Sequence, residues 1–275
     1  MSLSLCQSLP YESALRRMDV PVLRLGTTLA IRRRIPLLGP LTYIPRGAFH
    51  DPDGMTLYNA ADADADRQHH AAGHLPLMTP QTLALLEIHP DEATQLAAQH
   101  GKWRNRLRRA QEAGLTLSAA RFDPSRHNWL LDQETTQRRA QRYTGLSHRF
   151  TCAYPRAQTL LIQASRRGQT LAAMLFLLHA PGASYHIGWS NPEGRRLNAH
   201  ALTLWNATIL LRAQGITQID LGTLDTANAP GLARFKLGSG ARAHRLGHTW
   251  LHLPALSPRL GMIRQRGGFP SGLLG

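Results

Sequence analysis

The sequence predicts an α/β protein of two tandem domains, each a mixed, mainly antiparallel sheet flanked by helices. Three observations lead there. One order of elements, helix, three strands, helix, strand, helix, strand, can be traced twice along the 275 residues. The chain is 43% apolar, enough to build two cores. Its longest apolar run, Leu171–Ala180, is about half of what a bilayer crossing requires and reads as a buried strand.

In the first half, a helix around Tyr11–Met18 leads into strand-like runs at Val20–Thr27, Thr28–Pro36 and Leu41–Phe49. The polar stretch Asn59–Gly73 reads as a helix and Thr82–Pro90 as a strand. Next comes a basic helix from Gly101. There Trp103, Leu107, Ala110 and Gly114 recur at helical spacing and form one inward face. The strand Leu115–Phe122 closes this half.

The second half repeats the order. Trp129, Leu130, Gln133, Thr136, Ala140 and Tyr143 can share one helix face. Three strands, Thr159–Ser165, Gln169–His179 and Ala183–Asn191, are separated by tight turns at Arg166–Gly168 and Ala180–Gly182. A helix from about Asn198 to Ala213 follows, with Gly215 placed to end it. The strand Ile216–Gly222, a short loop holding Phe235 and Lys236, and one alternating strand over Ala241–Leu253 complete the pattern. The expected boundaries are 1–122 for the first domain, 123–256 for the second, and a Gly-, Pro- and Arg-rich tail over 257–275.

The net charge is +15, which favours polyanionic partners, nucleic acid or an anionic membrane surface; arginines spread along the whole chain also fit a general coding bias. Cys6 and Cys152 lack any metal or disulfide spacing, which fits a reducing cytoplasm. The N-terminus has no basic head followed by an apolar run, so no signal peptide is expected. Fourteen histidines invite a metal reading. His69–His70 has no further ligands at metal spacing, and His244, His248 and His252 read as one face of a half-exposed strand, so no metal is expected.

Lysine usage is the sharpest local signal. Against thirty arginines there are two lysines, Lys102 and Lys236. Lysine gives a compact point charge on a flexible stem, where arginine gives a planar fork. By position alone Lys236 reads as a surface or capping lysine. The basic helix carries Lys102, Arg104, Arg106, Arg108 and Arg109, a set suited to phosphates or to a solvated face.

The segments Gln7–Met18, Leu38–Phe49 and Lys102–Leu115, and above all "GITQIDLGTLDTANAPGLARFKLGSG" from Gly215, together resemble the FemAB family. Its members are built from two acetyltransferase-like (GNAT-type) domains and move an aminoacyl group from charged tRNA to an amine, usually on a peptidoglycan precursor. The resemblance spans roughly Gln7 to Leu253. It implies catalytic roles for Lys236, as a cation beside the tetrahedral oxyanion, and for Phe235, through its main-chain carbonyl as an acceptor that orients the amine. It also implies tRNA as co-substrate without a bound cofactor, with Lys102, Arg104, Arg106 and Arg108 as tRNA contacts. Arg46 is a candidate for an acceptor phosphate or carboxylate, or for a salt bridge. Tyr185 and Trp189, of equal strand parity, line a cleft or the core. Asp220 orients a substrate group or caps a turn. The expected location is cytoplasmic, with peripheral contact at the inner membrane face.

Two departures bear on the reading. Ser239 stands where many members have an aromatic, which leaves the acceptor open, and no coiled-coil arm is present. The main rival is an acyl-CoA-dependent acyltransferase. Its pyrophosphate cradle, R/Q-x-x-G-x-G/A, is here Arg196 followed by Ala199 and Ala201, a partial match. A non-catalytic RNA- or polyanion-binding protein is the third reading.

Overall fold

The structure, a computed structural model, describes residues 4–37, 39–50, 54–141 and 143–254. The tail expected over 257–275 lies outside them. In chain order the elements are α1 (Leu9–Arg17), β1 (Val22–Leu25), β2 (Thr28–Ile35), β3 (Gly39–Pro45), β4 (Thr56–Asn59), α2 (Ala63–Ala71), β5 (Leu75–Met78), β6 (Thr82–Glu87), α3 (Glu92–Ala97), α4 (Gly101–Glu112) and β7 (Thr116–Ala120). The second half contributes α5 (Pro124–Gln141), α6 (His148–Ala153), β8 (Thr159–Arg166), β9 (Gln169–His179), β10 (Gly182–Ser190), α7 (Pro192–Arg196), α8 (Ala199–Arg212), β11 (Gln218–Thr223), α9 (Pro230–Gly238), β12 (Arg242–Arg245) and β13 (Thr249–His252).

The fold class agrees with the sequence reading: two mixed sheets flanked by helices. One has six strands in the order β1-β2-β3-β4-β13-β5, the other seven in the order β12-β6-β11-β10-β9-β8-β7. The chain falls into two compact units, 1–19 with 82–244 and 20–81 with 245–275. These units interleave along the sequence. Strands β6 and β7 of the first half pair with β11 and β8 of the second, and β13 returns to pair with β4 and β5. Asp123 therefore lies inside the larger unit, between two adjacent strands of one sheet, and the boundary expected there does not coincide with the division between the units.

Local chemistry accounts for several elements. Ser8 accepts from Tyr11 N and Pro10 sits in the first turn, which starts α1; Asp62 and Asp91 cap α2 and α3 in the same way. Strand β9 is buried over nine consecutive residues, as its unbroken apolar run requires when helices cover both faces of a sheet. One core, with Leu160, Ile162, Met174 and Phe176, is covered by α4 and α8; the opposite face, with Leu161, Ala173 and Leu175, is covered by α5.

Three local expectations are corrected. The segment with Phe235 and Lys236 is not a loop but helix α9, started by Pro230. The run Ala241–Leu253 is not one strand. Leu246–His248 breaks it, with Gly247 so close to Ala60 and Asp66 that a Cβ would lie 2.6 Å from each. His244 thus belongs to β12 and His252 to β13, in different sheets, and the three-histidine face does not form. The inward face of α5 is built from Leu130, Leu131 and Glu134 with Trp129 beside them, while Gln133, Thr136 and Ala140 are exposed and Tyr143 lies past the helix end.

Candidate active site

In the seven-stranded sheet, β10 and β11 run parallel and pair at only three positions, ending at Ser184 and Asp220. Past that point both ladders are irregular. β10 carries a bulge between Tyr185 and Ile187 against β9, and β11 shifts register against β6 between Asp220 and Thr223. Gly222 has φ +80°, a conformation that glycine adopts without a Cβ penalty. The last six residues of β10 consequently have no β11 partner, and the two strands part.

Lys236 reaches this place from α9. It is 5% exposed, its Nζ donates to the Thr223 carbonyl at 2.8 Å, and a Cβ on Gly222 would lie 3.7 Å from that nitrogen. Burial pulls its pKa down to about 8, against the Asp220 charge, which acts to raise it. Asp220 Oδ1 accepts from Gly222 N at 2.7 Å, so the aspartate also fixes the turn that presents Thr223. Among the described residues Thr223 O is the one hydrogen-bond acceptor that meets the ammonium's three donors.

The glycines after Lys236 have a packing cause. Trp103 lies against Gly238, where a Cβ would stand 3.0 Å from Cδ1, and Ala98 O would lie 3.0 Å from one on Gly240. His100 N donates to the Gly238 carbonyl, and the Phe235 ring sits 6.1 Å from that of Trp103 and 6.3 Å from that of His200. The basic helix α4 is thereby seated on the lysine helix. The Phe235 carbonyl accepts from Ser239 N at 3.2 Å and closes the last turn of α9.

The remaining expected residues divide. Lys102, Arg104, Arg106 and Arg108 are exposed on α4. Arg104 bonds the Gln99 carbonyl at 2.6 Å and reaches that of Ala97, near the end of α3, and Arg108 reaches Asn105. Tyr185 and Trp189 do not share a face. The bulge at His186 inserts one residue, and the parity of the strand reverses beyond it. Tyr185 packs with Phe176 on the α8 side, Trp189 edge-on to Trp129 on the α5 side. Gly188 has no side chain because Tyr185 Oη occupies that space, 1.6 Å from where a Cβ would be. Arg46 belongs to the six-stranded unit, at the end of β3 with φ +50°, its N–H bonded to the Asn59 carbonyl.

Two clusters were not anticipated. Glu134, 4% exposed, takes Arg138 Nε and Tyr143 Oη on Oε1 at 2.8 and 3.1 Å, and His148 Nε2 on Oε2 at 2.6 Å. One helical turn on, Gln137 Nε2 donates to the Gly188 carbonyl at 3.2 Å and ties this network to the free stretch of β10. Burial works against the Glu134 charge, yet the His148 and Arg138 bonds outweigh it and hold its pKa low. The signal that could have found it is a glutamate on an otherwise apolar helix face with arginine at i+4. In the six-stranded unit, His69 and His74 are buried with their Nδ1 atoms 3.0 Å apart, and His252 packs edge-on to His74. Burial lowers the pKa of His69 to about 4. Nothing in the spacing of these histidines marks the cluster, because β13 enters the sheet from the far end of the chain.

At the cradle Arg196–Ala201 part of the backbone bonds to itself. Helix α7 precedes α8, the Leu197 and Asn198 N–H groups donate to the Glu193 and Arg195 carbonyls, and Ala199 and Ala201 are buried. Asn198 enters α8 at φ +55° without a side-chain cap.

The fold is of the tandem GNAT kind. The crystal structure of FemX superposes with a TM-score of 0.76 over 96% of this chain and 95% of that one, at 13% identity. The resemblance to the FemAB family thus holds at the level of fold. The C-terminal domain of a protein assigned as a lysylphosphatidylglycerol synthetase from Agrobacterium fabrum gives 0.58 over 98% and 96%, at 13% identity. A tandem GNAT protein from the clavulanic acid biosynthesis pathway gives 0.50 over 84% and 81%, also at 13%. No family model matches the sequence, and the comparison with curated proteins finds no match. Among the described residues no helix is long and apolar enough to cross a membrane.

Proposed function

We propose that the protein is an N-acyltransferase that moves an aminoacyl group from charged tRNA to an amine, with a peptidoglycan-precursor peptide as the first acceptor to examine. The observation that carries this reading is Lys236, a buried ammonium held on one carbonyl where β10 and β11 part. An amine nitrogen attacks the ester carbonyl, the N–C bond forms, and the carbonyl π pair moves onto oxygen. An ammonium at that oxygen stabilises charge that exists only in the transition state and the intermediate it resembles. With a pKa near 8 it is charged at neutral pH, and one donor on Thr223 leaves two for the substrate. Collapse of the intermediate breaks the C–O bond and releases the ribose oxygen, which is protonated as the amine gives up its proton.

The donor assignment draws on α4. Lys102, Arg106 and Arg108 form an exposed cationic helix on the same compact unit, locked to α9 through Trp103. The Leu197 and Asn198 amides before α8 are taken by the Glu193 and Arg195 carbonyls, which leaves fewer for an acyl-CoA pyrophosphate and favours tRNA. Cytoplasmic tRNA as co-substrate, with no bound cofactor, is part of this proposal.

The test is transfer of a labelled amino acid from tRNA to an amine acceptor, run beside acetyl-CoA as donor. Lys236→Ala is expected to lower turnover by roughly 10²–10³, the cost of one oxyanion donor, with tRNA affinity nearly intact. Lys236→Arg fails as well, because the fork does not reproduce the point charge. Full activity in Lys236→Ala, or transfer from acetyl-CoA alone, would refute the reading.

A further inference from the structure

In the six-stranded sheet, β1 pairs with β2 only over Thr28–Ile31, and β4 pairs with β3 only from Thr42 onward. Between those limits, among the described residues, Arg33–Ile35 pair with Gly39–Leu41 alone, a two-stranded ribbon without a further strand on either edge. Arg32, Arg33 and Arg34 are all exposed along it. Strand alternation puts Arg32 and Arg34 on one face and Arg33 on the other. At the tip Leu37 is wholly exposed (107%), with φ +69°. Isolated two-stranded ribbons are marginal in water, and a leucine with left-handed backbone is costly where it touches nothing. From Val20 to His50 the sequence holds five arginines and no acidic residue.

We propose that this hairpin docks on an anionic lipid surface. The arginines meet headgroup phosphates from both faces of the ribbon, and Leu37, with Pro36 and Ile35 beside it, enters the boundary between headgroups and acyl chains. Neither part suffices alone: a short apolar tip gives weak, reversible insertion, and three cations give attraction that salt removes. RNA is the other polyanion that the charge admits. The tip favours lipid, because binding to single strands uses aromatic platforms for the bases, whereas an aliphatic side chain gains by burial among acyl chains.

The experiment is flotation of the full chain with vesicles of phosphatidylcholine, with and without phosphatidylglycerol, at low and high salt, and it needs no transfer reaction. Binding is expected only with the anionic lipid. Leu37→Asp should weaken it by about tenfold or more, and each of Arg32→Gln, Arg33→Gln and Arg34→Gln by about fivefold. Circular dichroism checks that each variant is folded. Vesicle binding unchanged in Leu37→Asp and in the three arginine variants together would overturn the proposal. Loss of RNA binding in those variants, with vesicle binding intact, would assign the hairpin to nucleic acid instead.

Discussion

Each sheet contains a parallel pair of neighbouring strands, and the two pairs differ. β3 and β4 stay paired over all four residues of β4, while β10 and β11 separate after three. The closed pair belongs to a unit whose buried titratable groups are neutral and satisfy one another: His69 and His74 share one hydrogen bond, and Tyr58 Oη is bonded to the His50 carbonyl. The open pair carries a buried cation with donors to spare. The proposed chemistry is placed where a ladder stops, and two irregularities, at His186 and beside Gly222, stop it.

The largest expected difference between the units is in their response to pH. The His69 folded pKa, about 4, lies below the unfolded value near 6.5. Between those values the unfolded chain binds more protons, so this stability is complete above pH 6.5 and is lost as pH falls toward 4. The full term is up to about 3 kcal/mol. Amide protection factors in β4 and β13, corrected for the intrinsic rate at each pH, should fall over that window; unchanged protection factors down to pH 4 would show that the pair tolerates charge. His186 follows the same rule in the other unit, also near 4, so acid weakens both.

On the alkaline side the units separate. The Lys236 pKa is lowered from 10.5 to about 8. The unfolded state holds more protons between these values, so stability rises as pH climbs from 8 toward 10.5, and the charged lysine costs stability at pH 7. The limit is about 3 kcal/mol. Lys236→Met leaves Thr223 O without its donor, so a net gain of about 1–2 kcal/mol at pH 7 is expected. That gain is cancelled at about pH 9 and reversed by about 1–2 kcal/mol at about pH 10.5, because the unmodified protein gains about 3 kcal/mol over the same range, and activity is lost throughout. Turnover of the unmodified protein should also decline as pH rises through about 8. A destabilised Lys236→Met would mean that the ammonium is a structural contact rather than strain kept for function.

The sequence showed most of the fold because its signals are local. The apolar run of β9, the cap before α1 and the helical spacing of Trp103, Leu107 and Ala110 each suffice by themselves. Strand exchange was not legible, since no residue of β13 records that its partners are β4 and β5, and the halves therefore looked separable at Asp123. Lys236 stood out through composition and motif, whereas its burial depends on Gly222 and Thr223 folding back. Trp189 was misplaced by the bulge at His186, which alternation cannot foresee. Glu134 was missed because its partners Tyr143 and His148 lie beyond the end of its own helix.

The smallest effect tests whether that network is held together by charge or by packing. Glu134→Gln keeps an acceptor for Tyr143 and loses the charge that faces Arg138 and His148. Those side chains are 27% and 31% exposed and can be resolvated, so the cost at pH 7 is about 1 kcal/mol rather than that of a fully buried pair. The folded pKa of Glu134 is lowered, so its contribution is present above the unfolded value near 4.5 and is lost as pH falls through the folded one. Urea melts of the two proteins should therefore differ at pH 7 and converge at acid pH. Melts that remain apart in acid would mean that glutamine is misfitted, and that Gln137 and Gly188 are held by shape alone.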